Sequence, residues 1–292
     1  GILAIGMILI LGIMFVKETM ARSLLILLVL ALASYDLYRF GTKFTPFTTP
    51  DYFYPRTRAI EFLQKDRDVF RIAATDSRIL APNFSTHYKI QSIEGYDPLY
   101  LLSYAELIAA SEREDHSIHR PFGFNRIITP HNLESKVIDL LNVKYILSIS
   151  DLNSAKLIKV FQEGQTRVYE NKNVMPRAFF VERVIKSNNK EDTISGIFRE
   201  DLEHVAYIEE NEAIGSNLIK GTVRIVDYDE NRVEMSSDNT GDGFLVFSDS
   251  FYRTWKASID GLNTKVYKTN HAFRGIFVPK GKHKIVFYVT LF

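Results

Sequence analysis

Two apolar runs lie end to end at the start of the chain. Ile2–Val16 (ILAIGMILILGIMFV) carries no charge, Lys17, Glu18 and Arg22 interrupt the pattern, and Leu24–Leu32 (LLILLVLAL) follows at once. A membrane-crossing helix needs about 20 apolar residues. The second run can be extended through Ala33, Ser34 and Tyr35 to about Tyr38, which puts Asp36 near an interface. Two such runs joined by a short charged loop predict a transmembrane helical hairpin over residues 1–39. The first run is shorter than a span and opens on Gly1, so it reads as the end of a helix that starts upstream. A signal peptide is the alternative: Met20-Ala-Arg-Ser, a Leu-rich core and Ala31-Leu32-Ala33 resemble its three regions. The apolar residues ahead of Met20 argue against it. Lys17 and Arg22 favour a cytoplasmic loop, and long domains translocate largely regardless of charges such as Arg39 and Lys43. Residues from about 40 onward are then expected outside the cytoplasm.

The overall hydrophobic fraction, 46%, is ordinary for a globular chain, so the membrane signal is local. The sequence has no cysteine, which excludes disulfides and a thiolate nucleophile or ligand. A net charge of +1 with both signs interspersed gives no footprint for nucleic acid.

Residues 40–68 read as a linker followed by a helix. Pro46, Pro50 and Pro55 interrupt helix there, and Phe44, Phe47, Tyr52, Phe53 and Tyr54 suit a membrane interface. Thr57–Lys65 carries Ile60 and Leu63 on one helical face. Residues 69–215 alternate strand and helix signals: Val69–Ala74, Leu99–Ser111, Ser135–Leu141, Lys144–Ser148, a hairpin of Leu157–Val160 with Thr166–Tyr169, and Ala178–Val184. They predict a mixed α/β domain. From residue 216 the pattern changes to seven short runs of period two, separated by turns such as Asp229-Glu230-Asn231 and Asp260-Gly261. That predicts a C-terminal antiparallel β-sandwich over 216–292 and makes the whole chain α+β. The last run is apolar up to Phe292, so a continuation is expected there as well.

The chemistry-bearing candidates are few. Asp66-Arg67-Asp68 and Asp227-Tyr228-Asp229 match D-x-D, a pattern able to hold a hard cation through oxygen. The second falls at a hairpin turn, where Asp is favoured for local hydrogen bonding. His116 and His119 have helical spacing but a charged, loop-like setting and no further ligands nearby. No metal site is therefore expected. In Gly95-Tyr96-Asp97-Pro98 the residue before proline is held extended. Asp97 either caps the helix that follows, with Pro98 at its first position, or joins Tyr96 in contacting a ligand. Glu94 has no such structural role and can face a groove. Tyr252, Trp255, Asn270 and Arg274 form a candidate glycan surface of rings and polar groups. Trp255, Ala257 and Ile259 share one strand face, so the tryptophan reads first as core. Arg177 and Arg274 pair with carboxylates inside the domain or meet phosphate.

Beyond these patterns, an ordered set of segments resembles a known family. They are D-L-Y-R-F-G (Asp36–Gly41), G-Y-D-P-L (Gly95–Leu99), L-L-N-V-K-Y-I-L (Leu140–Leu147), V-Y-E-N with M-P-R-A-F (Val168–Phe179), S-F-Y-R-T-W-K-A-S-I-D-G (Ser250–Gly261) and N-H-A-F-R-G-I-F-V-P-K-G-K-H-K-I (Asn270–Ile285). In this order they resemble the bacterial YfhO family of multi-pass membrane proteins, placed with the GT-C-type glycosyltransferases. The resemblance implies a long multi-helix N-terminal region and an extracytoplasmic C-terminal domain. It also implies a polyprenyl-phosphate sugar donor for the full-length protein, and membrane lipid, lipid-linked sugar and a cell-envelope glycopolymer such as lipoteichoic acid as partners. The catalytic carboxylate of such enzymes sits in an early loop, so no catalytic residue is assigned here and none of the present residues implies a cofactor. Two other readings stay open: a non-enzymatic membrane-anchored module that binds glycan or protein through the sandwich, and a secreted protein cleaved at Ala33.

Overall fold

In the computed structural model the described residues are 1–44, 48–209 and 218–290. The chain forms two compact units, Gly1–Arg56 and Thr57–Phe292.

The first unit contains helices Ile2–Phe15 and Thr19–Phe44, and no residue of either is buried. They meet where side chains are smallest. A Cβ at Gly12 would lie 3.3 Å from Leu25 Cδ1, and one at Gly6 would lie 3.7 Å from Leu32 Cδ2. Small residues are what let apolar helices approach closely without a hydrophobic drive. Thr19–Phe44 is long and apolar enough to cross a membrane, whereas Ile2–Phe15 is shorter. The second helix runs past the expected boundary at residue 39, because Gly41 alone does not stop a helix and no proline precedes Pro46. Pro46 and Phe47 lie outside the described residues. A helical turn, Pro50–Phe53, occupies part of the expected linker.

The second unit opens with helix Arg58–Lys65. Thr57 caps it, accepting from Ile60 N at 3.3 Å, and it buries Ala59, Ile60 and Leu63. A first sheet has the strand order Gln91–Ser92, Arg71–Ala74, Val143–Ser148, Thr166–Asn171, Leu157–Glu163. Arg71–Ala74 is parallel to both neighbours. The Leu157–Glu163 and Thr166–Asn171 hairpin turns at Gly164, whose φ of +56° suits glycine. The helix expected over Ser135–Leu141 is Lys136–Leu140, capped by Ser135, which accepts from Val137 N at 3.3 Å. Helix Leu102–Arg113 begins later than expected, and Asp97 is not its cap. Asp97 Oδ1 instead accepts from Leu99 N at 2.8 Å and closes a local turn, while Leu101 occupies the cap position without a side-chain bond.

The largest departure concerns residues 216–292. Their strands divide between two sheets. Thr222–Tyr228, Arg232–Asn239, Gly281–Val289, Trp255–Ile259 and Leu262–Thr264 form one, in that order. Gly243–Ser250, Phe273–Val278 and Tyr267–Thr269 join a six-stranded sheet with Ala178–Val181, Val205–Ile208 and Arg183–Lys186. The boundary expected at residue 216 therefore runs through a sheet. The run Ala178–Val184, expected as one strand, breaks because Glu182 N and Arg183 N both donate to His204 O. Its first half pairs with Gly243–Ser250 and its second with Val205–Ile208.

One apolar cluster draws on both sheets: Ala178, Phe180, Leu245, Phe247, Ile276 and Val278 from the six-stranded one, and Val233, Met235, Ala257, Ile285 and Phe287 from the other. The opposite face of the six-stranded sheet (Phe179, Val181, Phe244, Val246, Phe273) enters a larger core with helix residues such as Leu107, Ile138 and Ile197. Burial on both faces is why A-F-F-V and G-F-L-V-F are unbroken apolar runs rather than alternating ones. The Asp260-Gly261 turn is as expected, with φ of +52° and +85° as a two-residue hairpin requires.

Candidate functional site

The strand Gly243–Ser250 carries Leu245 and Phe247 on the face it shares with the five-stranded sheet, and Asp249 follows two residues on. A carboxylate so placed must find partners. Arg71 Nη2 donates to Asp249 Oδ1 at 2.7 Å, Arg177 Nη1 to the same oxygen at 3.2 Å, and Tyr228 OH to Oδ2 at 2.8 Å. Arg71 is also fixed by the carbonyls of Leu141 and Ser248, each at 2.9 Å, and Arg177 by Gln91 Oε1. A third guanidinium, Arg274, donates from Nε to Ser250 O at 2.9 Å and stacks on the Trp255 ring, 3.5 Å from its centroid. Burial would raise the Asp249 pKa, but the charges of Arg71, Arg177 and Arg274 hold it below the usual carboxylate range. Burial also brings Arg177 and Arg274 down to about 10, since three cations face one anion. Arg177 Nε and Arg274 Nη1 have no hydrogen-bond partner among the described residues.

Arg177 links this cluster to the surface. It lines a solvent-open cleft of about 510 Å³ between the segment Arg67–Phe70, Asn142 and Lys144, the segment Val174–Ala178, and the edge residues Val223–Ile225. On this cleft the Asp66-Arg67-Asp68 pattern already holds a cation. Lys144 Nζ lies 2.6 Å from Asp66 Oδ2 and 2.7 Å from Asp68 Oδ2, and Tyr145 OH donates to Asp66 at 2.8 Å. Burial raises the Asp66 pKa, but the bonds from Lys144, Asp68 N and Tyr145 and the charge of Lys144 together outweigh it and leave the carboxyl lowered. The D-x-D spacing thus serves a protein ammonium. At Asp227–Asp229 the turn reading holds, with Asp229 N bonded to Arg232 O and Tyr228 turned inward to Asp249. His116 pairs with the adjacent Asp115 in an exposed loop. Among the described residues no group of His, Asp and Glu is arranged to hold a metal ion.

A second buried cluster surrounds His271. Its Nε2 lies 2.8 Å from Glu106 Oε2 and its Nδ1 lies 3.3 Å from Glu209 Oε1. Lys190 reaches Glu106 Oε1 at 2.8 Å and Lys268 reaches Glu209 at 3.4 Å. His271 and Asn270 both adopt positive φ, +68° and +46°. Asn270 is held there by two bonds with the Tyr207 backbone, one through its side-chain oxygen.

The expected site residues scatter. Arg177, Trp255 and Arg274 gather at the Asp249 cluster. Trp255 packs against the core with Ala257 and Ile259, as its strand face predicts. Asn270 is fully buried and serves Tyr207 rather than a surface. Tyr252 is exposed on a loop. Tyr96 and Asp97 lie beside the short ribbon Gly95–Tyr96 with Ile127–Ile128, where Arg126 approaches Tyr96 OH at 3.3 Å. Glu94 is half-buried against Ser92, and burial pushes its carboxyl up to about 7. Asp249, Arg71, Tyr228, Glu106 and His271 were not singled out in the sequence. The spacing of Phe247 and Asp249 was the available signal, since alternation places both on one face.

Residues 211–290 match the family model of the bacterial membrane protein YfhO. Over this stretch, about a quarter of its length, the chain is similar to the YfhO family. No curated protein and no solved structure matches it. The YfhO match contains Tyr228, Asp249, Trp255, His271 and Arg274, while Arg71, Glu106 and Arg177 precede it. Both buried clusters therefore tie the matched region to the rest of the second unit.

Proposed function

We propose that this chain belongs to a GT-C-type glycosyltransferase that moves a sugar from a polyprenyl-phosphate carrier to a cell-envelope glycopolymer of the lipoteichoic-acid kind. The observation that carries the reading is the YfhO match on the same chain as a helix able to cross a membrane. The GT-C assignment itself comes from the resemblance of the ordered segments. In this reading the protein is multi-pass, residues from about 40 onward are extracytoplasmic, and the β-rich region guides the acceptor. A carboxylate of the membrane region takes the proton of the acceptor hydroxyl as its oxygen bonds to the anomeric carbon, whose bond to the phosphate oxygen breaks and releases polyprenyl phosphate. Tyr96, Asp97 and Tyr252 are the exposed candidates for contact with the glycan.

The test is made on the organism's own gene. Deleting it should remove a sugar substituent from the envelope polymer, read by NMR of the purified polymer, and complementation should restore it. A polymer unchanged by deletion overturns the transferase reading. If the purified protein then binds that polymer, the non-enzymatic module reading takes its place.

A further inference from the structure

The cleft described above is lined by four cationic side chains, Arg67, Lys144, Arg177 and Arg224, against a single carboxylate, Asp68. Their states differ in an informative way. Lys144 is neutralised by Asp66 and Asp68. Arg177 is 3% exposed and fixed by Asp249 and Gln91, so it cannot swing out to meet solvent. Arg67 and Arg224 are exposed and make no ion pair among the described residues. Arg67 comes from the segment ahead of strand Arg71–Ala74, and Arg224 from the edge strand Thr222–Tyr228. The lining also includes Asn142 and the apolar side chains of Val69, Phe70, Met175, Pro176, Val223 and Ile225. Behind Arg177 lies a cluster in which three guanidiniums share one carboxylate, with Arg177 Nε lacking a hydrogen-bond partner among the described residues. A cleft lined by cations and backed by such a cluster carries positive potential.

We propose that this cleft binds a phosphate ester, with Arg67 and Arg224 gripping the phosphate oxygens and Arg177 supplying fixed positive charge at the rear. Guanidinium forks match phosphate geometry, which a pair of exposed lysines would not. The apolar walls accommodate the carbon skeleton on either side of the phosphorus. The site stands whether or not the protein transfers sugar, since it rests on the cleft alone. Two sources present this chemistry, a soluble or polymer phosphodiester and a phospholipid headgroup.

The experiment uses the full chain in nanodiscs of phosphatidylcholine. Glycerophosphoglycerol, a soluble phosphodiester, is titrated in by calorimetry at low and at high salt. In a second arm, nanodiscs with and without phosphatidylglycerol are compared by 31P NMR. The Arg67→Gln/Arg224→Gln variant should bind roughly tenfold or more weakly, and the wild-type affinity should fall with salt. Arg67→Lys/Arg224→Lys should recover part of the loss, and Lys256→Gln, on an exposed position of another strand, should change nothing. Binding of the soluble ester with this pattern assigns the site to a phosphodiester. A shift seen only with phosphatidylglycerol, and lost in the Gln variant, assigns it to a lipid headgroup. Absence of binding in both arms, or binding that the Gln variant leaves intact while its melting temperature matches wild type, overturns the proposal.

Discussion

The Asp249 and His271 clusters are both polar, buried at their centres and built from distant segments, yet they balance charge in opposite ways. Around Asp249, three guanidiniums converge on one carboxylate, and the side chains of Arg177 and Asp249 are only 2% and 9% exposed. Around His271, two carboxylates flank one imidazole. Their balancing ammonium groups come from the surface, Lys190 at 43% exposure and Lys268 at 29%. The second arrangement is a clamp: each charge meets its opposite, and water reaches the outer members. The first carries more positive charge than its interior partners neutralise, and it does so directly behind the cleft. Stability alone does not favour that arrangement, because buried ions seldom recover their desolvation cost.

The comparison can be broken most sharply at Asp249. Asp249→Asn leaves three guanidiniums without their anion and should cost about 3–5 kcal/mol. Urea unfolding of the detergent-solubilised chain, followed by the fluorescence of Trp255 beneath Arg274, measures it. Because the folded pKa of Asp249 lies below its unfolded value, this stabilisation is complete above pH 4. It disappears as the pH falls through the lowered value. Adding Arg177→Met to Asp249→Asn should recover part of the loss. A double variant no more stable than Asp249→Asn would mean that excess positive charge is not what makes the cluster costly.

Glu94 tests the opposite sign. Its carboxyl is raised to about 7, so the folded state binds the extra proton. Stability should be greatest below about pH 4.5 and fall by about 2–3 kcal/mol as the pH rises through 7. Glu94→Gln should flatten that slope in a series of melting curves. An unchanged slope would place the titration elsewhere.

At the His271 clamp the losses should be smaller. Glu106→Gln should cost about 1–3 kcal/mol, because Lys190 can return to water while His271 keeps Glu209. A cost equal to that of Asp249→Asn would erase the distinction between the two clusters. Gly196→Ala probes the same clamp indirectly. A Cβ at Gly196 would collide with the Tyr207 ring, and the Tyr207 backbone holds Asn270 beside His271. Overpacking of this kind should cost roughly 1–3 kcal/mol, read by thermal melting.

Much of the local structure was legible in the sequence. Thr57 and Ser135 announced their helices, Asp260-Gly261 its hairpin, and Trp255, Ala257 and Ile259 their shared face. What failed was partner choice. Ala178–Val184 reads as one strand because nothing in seven consecutive residues signals that His204 O will take two amides at its middle. Asp97 looks like a cap because a cap and an Asx turn use the same side chain, and only the start of the helix at Leu102 separates them. The site was legible in its arginines but not in the carboxylate they share. Asp249 lies 178 residues beyond Arg71, and no local pattern records a contact at that range.

The six-stranded sheet makes the unit of folding wider than the unit of family resemblance. A chain cut near residue 216 would keep the whole five-stranded sheet but lose Ala178–Val181, the neighbour of Gly243–Ser250. That would bare a long apolar edge ending in a carboxylate stripped of Arg71 and Arg177. Such an edge recruits other strands. The matched region on its own should therefore self-associate, because the preceding residues supply both the missing strand and the missing cations.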